Sequence, residues 1–112
     1  MNKTITYKGV TIEQSITLPN APVDTDVPYV FLGVNENEYD ILVRPLASCG
    51  CTTTGAEMRV PAGQGFKIEG VYKKTMKTGI YSKVVHVYFG KTTEGTNSEE
   101  RKLTVNFTGR IG

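Results

Sequence analysis

The sequence predicts an all-β fold, an immunoglobulin-like antiparallel β-sandwich of about seven strands. Three observations predict it. Short apolar runs recur along the chain, and turn residues interrupt them. No segment keeps helical apolar spacing over three turns. The composition is rich in Thr, Val, Gly and Tyr, a bias that favours strands over helices.

The elements follow in order. Ile5, Tyr7, Val10 and Ile12 mark extended structure, with Gly9 at a bulge or tight turn, and Ser15 to Leu18 continues it. Pro19-Asn20-Ala21-Pro22 breaks the ladder, because proline lacks the N–H donor. Val27 to Leu32 is a second apolar run, followed by the polar turn Asn35 to Glu38 and a strand from Tyr39 to Val43, stopped near Pro45. Cys49 to Gly65 is a loop-rich crossing with one short strand at Met58 to Val60. Phe66 to Tyr72 alternates as a half-buried strand, and Lys73 to Gly79 is a polar connection. Tyr81 to Phe89 is the strongest strand, with Val85, Val87 and Phe89 on one face and Val84, His86 and Tyr88 on the other. Lys91 to Lys102 is a hydrophilic loop, and Leu103, Val105 and Phe107 define the last strand. An immunoglobulin Cys…Trp…Cys pin is absent, so packing between the sheets must hold the sandwich together. A small barrel is the competing architecture.

The chain has 112 residues, the size of one domain. Its net charge of +2 is too small for a nucleic-acid footprint, and its basic residues are scattered apart from Lys73, Lys74 and Lys77. No apolar stretch approaches a membrane span. The first residues carry no apolar signal-peptide core, so the expectation is a chain that is either intracellular at synthesis, the simpler reading, or trimmed and given a new Met.

Candidate chemistry is sparse. Cys49 and Cys51 flank Gly50. The plainest reading is two partly buried small residues at a strand end. A labile disulfide is the next, easily reduced because its ring is so small. A redox pair or metal site is the third, but structural zinc needs four ligands and only His86 could join the cysteines. His86 lies between two valines of a strong strand, and no sequence feature brings it a nucleophile and an orienting carboxylate. Asp24 and Asp26 lack the spacing of a calcium loop, and Gly63-Gln64-Gly65 lacks the lysine and helix of a phosphate loop. No catalytic residue, cofactor or metal is expected.

The chain also resembles a known family. Tyr29-Val30-Phe31, the turn Asn35 to Glu38 and the strand from Tyr39 to Pro45 precede Ser48-Cys49-Gly50-Cys51-Thr52. Val60-Pro61-Ala62-Gly63, a strand ending at Tyr72, Gly79 to Lys83, a valine-rich strand and the ending Thr108-Gly109-Arg110-Ile111 follow. This order is similar to the bacterial domain-of-unknown-function family 1573, marked by Cys-Gly-Cys-Thr and related to Hydin-type and major-sperm-protein-type immunoglobulin-like modules. The resemblance implies a single domain over 1–112, with a family-like core at 27–111 and residues 1–26 as an N-terminal arm or extra strand. It implies fold rather than activity.

The function expected from all this is a non-enzymatic, protein-binding structural module. Single copies without an export signal resemble those carried by phages. The specific expectation is therefore a virion accessory or decoration protein on the capsid surface, present in many copies and docked on major capsid or other virion proteins. The expected contacts are Lys3, Ile5 and Tyr7 in the N-terminal arm, Lys91, Glu94 and Arg101 around the hydrophilic loop, and the Thr52 to Gly65 loop. The alternative is an adhesion or interaction module of a bacterial periplasm or cell surface. A third reading is a thiol-redox protein using Cys49 and Cys51.

Overall fold

A period of two along the longer strands turns one face of each inward, and the inward sets meet in one core. The computed structural model describes residues 3–92 and 101–112. Its strands are β1 (Thr4–Tyr7), β2 (Val10–Glu13), β3 (Ser15–Thr17), β4 (Val27–Asn35), β5 (Ile41–Ala47), β6 (Thr52–Thr54), β7 (Met58–Val60), β8 (Gly65–Tyr72), β9 (Gly79–Lys91) and β10 (Lys102–Ile111). They form two five-stranded sheets, ordered β1-β2-β4-β8-β6 and β3-β10-β9-β5-β7. Every pairing is antiparallel except that of β3 with β10. The all-β immunoglobulin-like sandwich is thus the observed fold, with ten strands among the described residues where about seven were expected.

The additional strands lie largely at the N-terminus. Lys8 and Gly9 both have positive φ, 51° and 77°, the backbone of a two-residue type I′ hairpin turn between β1 and β2. The chain then changes sheet at Gln14. Its N–H donates to the Lys3 carbonyl at 2.8 Å in the first sheet, and its own carbonyl accepts the Asn106 N–H at 2.9 Å in the second. Residues 3–26 are therefore woven into both sheets, as extra strands and not as a detached arm. Val10, Ile12, Ile16 and Leu18 from this segment are buried in the core.

Aromatic rings join the sheets in place of a tryptophan–disulfide pin. Tyr29 of β4 stacks on Phe107 of β10 at 4.7 Å, and Tyr72 of β8 stacks on Tyr81 of β9 at 4.3 Å. Phe107 meets Tyr72 and Tyr81 edge-on, closing the cluster. Gly70 makes room for it: a Cβ there would collide with the Tyr29 ring and the Thr53 carbonyl. Asn35 is a buried polar residue that organises the turn before β5. Its amide nitrogen lies 2.9 Å from the Tyr39 carbonyl and 3.2 Å from those of Val60 and Pro61, so its burial is compensated.

Candidate interaction surface

The two outer faces of the sandwich differ. On the second sheet, Arg44 lies 5.0 Å from the centre of the Tyr88 ring, and His86 Nδ1 lies 3.2 Å from Thr104 Oγ1. This face carries mostly polar and charged groups; its exposed Leu46 (45%) stands opposite His86 and its exposed Ile80 (80%) opposite Arg110, too far apart to form a stripe. On the first sheet, β4 points Pro28, Val30, Leu32 and Val34 outward, and β8 adds Val71 beside Pro28. Val30 is 40% and Leu32 51% exposed. An antiparallel strand with one wet face normally alternates apolar and polar residues. β4 does not, so an apolar stripe runs along the middle of this face. Glu69 stands opposite Val30, and Lys67 opposite Leu32. At the end of β2 the stripe is bordered by Glu13, whose Oε1 accepts the Leu32 N–H at 2.7 Å. Beyond that point β2 no longer pairs with β4, since their ladder covers only residues 33–35 of β4.

A second feature lies where the β1–β2 hairpin meets the end of β9. Lys8, Asn37, Tyr39, Phe89, Lys91 and Arg101 line a small cleft of about 50 Å³. Tyr7 packs edge-on against Phe89 at 6.1 Å, and Lys91 Nζ sits 4.6 Å above the Tyr39 ring. Expected contacts from distant stretches of sequence, Tyr7, Lys91 and Arg101, therefore come together at one end. Ile5 and Tyr7 turn their side chains onto the core, while Lys3 remains exposed. Glu94 lies outside the described residues. In the Thr52 to Gly65 stretch, Asp40 Oδ2 accepts from Arg59 Nη2 at 2.8 Å and Oδ1 from the Ala62 N–H at 3.1 Å. The Arg59 hydrogen bond, then that of Ala62, hold the Asp40 carboxyl below the usual carboxylate range.

The cysteines are joined. The Ser48–Cys51 turn brings their Cα atoms to 5.4 Å, within disulfide reach, and the sulfurs are bonded, so two unpaired thiols are not what this turn holds. The turn is anchored by the Ser48 hydroxyl, which donates to the Val84 carbonyl at 2.9 Å, and by the Lys73 N–H, which donates to the Cys51 carbonyl at 2.8 Å. Asp26 accepts the Lys74 N–H at 2.7 Å and so acts as a turn residue. Among the described residues no group of three or more His, Cys, Asp or Glu side chains could hold a metal, and no helix is long and apolar enough to cross a membrane.

Sequence reasoning missed Val30 and Leu32. The signal was present: Val27 to Leu32 is apolar at inward and outward positions alike, which marks a strand with both faces dry.

No family model matches the chain, and no curated protein matches it by sequence. Solved structures do resemble it. The ASH/PapD-like domain 7 of human CEP192 superposes with a TM-score of 0.76 at 12% identity, covering 100% of this chain and 93% of that one. The YadV chaperone superposes at 0.67 with 13% identity, over 92% of this chain and 52% of the chaperone. WR4, an MSP family member from C. elegans, superposes at 0.61 with 5% identity, over 95% of this chain and 100% of that one. At such identities the likeness establishes the immunoglobulin-like fold.

Proposed function

We propose that this chain is a non-enzymatic, protein-binding module whose docking face is the outer surface of the β1-β2-β4-β8-β6 sheet. The observation that carries the reading is the exposed apolar stripe on β4, where Val30 and Leu32 stand in water between Pro28 and Val34. The fold shared with the PapD-like domain, the YadV chaperone and the MSP family member supports a role in protein contact.

The finer form is a virion accessory protein, docked in many copies on capsid proteins. It rests on the resemblance to family 1573, to which we assign the chain by Ser48-Cys49-Gly50-Cys51-Thr52, and on the phage-borne single copies of that family. One observation favours the second reading, an envelope module of the periplasm or cell surface. The Cys49–Cys51 disulfide suits an oxidising compartment better than a reducing one.

Native material separated on a density gradient, with peptides of this chain followed by mass spectrometry, tests both. Migration at fixed stoichiometry with a large particle is the expected result. Recovery with envelope fractions puts the second reading first. A chain found only in light fractions, unchanged by Leu32→Lys, would sink the protein-binding reading itself.

A further inference from the structure

We propose that the partner of the β4–β8 face is a second copy of this chain, related by a two-fold axis that crosses the strands. The inference rests on the reading of this face as a docking surface and names its occupant.

The argument is one of register. The outward positions of β4 and β8 form four rows: Pro28 beside Val71, Val30 beside Glu69, Leu32 beside Lys67, and Val34 beside Gly65. Lay an identical face on top with the two-fold between the second and third rows. Each row then meets its mirror in the order, first with fourth and second with third. Along β4, Val30 meets Leu32 of the other copy and Pro28 meets Val34, so the apolar stripe covers itself. Along β8, Lys67 meets Glu69 of the other copy, and the symmetry makes this pair twice. Val71 meets Gly65, where the missing side chain leaves a shallow recess lined by Leu32, Phe66 and Lys67. Bulk faces hollow, cation faces anion and apolar faces apolar in every row. The alternative axis, running along the strands, fails this test, because it sets Leu32 against Lys67 and Val30 against Glu69.

An isologous contact of this kind needs a patch that complements itself. Aligned sheets pack face to face at about 30°, a skew that shifts the middle rows by only about 2 Å but the outer rows by about one strand spacing, so the Val30–Leu32 and Lys67–Glu69 rows carry the contact. The face is short, so the dimer is weak, with Kd on the order of 10 µM.

Sedimentation velocity on the full chain, from about 1 to 500 µM, tests the proposal. The wild type should pass from monomer to dimer. Lys67→Glu places two acidic residues against each other across the axis, and Glu69→Lys places two basic ones. Each should weaken self-association roughly 100-fold, since like charges are then juxtaposed twice. Mixing the two variants should restore association. One copy then presents acidic side chains in both middle rows of β8 and the other presents basic ones, so both pairs across the axis are again opposite in charge. Lys67 and Glu69 are both exposed, and circular dichroism checks that each variant is folded. A wild type that stays monomeric, a dimer indifferent to both variants, or variants that fail to associate when mixed would each overturn the proposal. A monomeric chain that still co-sediments with a particle, and loses it on Leu32→Lys, would remove the dimer and leave the docking reading intact.

Discussion

Tyr29 and Tyr81 bury the same phenol in two settings. The Tyr29 hydroxyl donates to the Thr53 carbonyl at 2.6 Å, whereas the buried Tyr81 hydroxyl has no hydrogen-bond partner among the described residues. Burial pushes the Tyr29 pKa from 10.0 up to about 12, and burial, then the neighbouring Tyr72, raise that of Tyr81. The folded state therefore favours the neutral phenol. That contribution is whole below pH 10, where the unfolded phenol is also neutral, and is lost as pH rises toward about 12. Tyr29→Phe should cost about 1 kcal/mol at neutral pH through the lost bond. It should also flatten the decline of stability above about pH 10. Tyr81→Phe removes a buried hydroxyl that makes no bond, so neutral-pH stability should hold or rise. Urea titrations at about pH 7 and at steps above about pH 10 measure both. An unchanged alkaline slope in Tyr29→Phe would show that its ionisation is not linked to folding. None of this was legible in the sequence, where six tyrosines read alike as strand or interface residues. What separates them is the depth and the carbonyl each one finds.

Single elements were more legible than their connections. Phe66 to Tyr72 and Tyr81 to Phe89 were visible because their apolar spacing has a period of two, and the structure extends them to Gly65–Tyr72 and Gly79–Lys91. The crossing at Gln14 was not, because neither proline nor glycine marks it and Ser15-Ile16-Thr17 would suit either sheet. The β1–β2 hairpin lies between these cases. Gly9 announced a turn, and the backbone at Lys8 decides its type. The tip is tied down by the Glu36 N–H, which donates to the Gly9 carbonyl at 2.7 Å, and by Asn37 Nδ2, which donates to the Lys8 carbonyl at 3.1 Å. A Cβ on Gly9 would run into the Asn37 side chain. Gly9→Ala combines that overlap with a strained positive φ and should cost about 1–3 kcal/mol. Lys8→Asn supplies the residue that type I′ turns prefer and should add about 0.5 kcal/mol. Urea midpoints of the two variants check the pair, and a neutral Gly9→Ala would mean that the hairpin tip is not docked on the Asn35–Asn37 turn.

At the scale of the molecule, the sheets are held by packing across both of them, and the N-terminal segment is part of that packing. Residues 1–26 could be read from the sequence as an arm because the family-like phrases begin at Tyr29. The extra strand was the other reading, and the described part of the segment, residues 3–26, supplies strands to both sheets. β2 fills a position inside the first sheet, β3 borders the second, and the bridge of Ala21 to Ile111 fastens the exit. Burial of Val10, Ile12, Ile16 and Leu18 contributes about 1.5–3 kcal/mol for each side chain. Together that is about 6–12 kcal/mol, as large as the whole stability of an ordinary domain. Removing residues 1–18 should therefore abolish cooperative folding of the remainder, and merely shortening a docking arm would not. Thermal unfolding followed by far-ultraviolet circular dichroism distinguishes the outcomes. A truncated chain that still melts in one sharp transition would mean that β4 to β10 close a core of their own, and that the N-terminal strands are free to serve a partner.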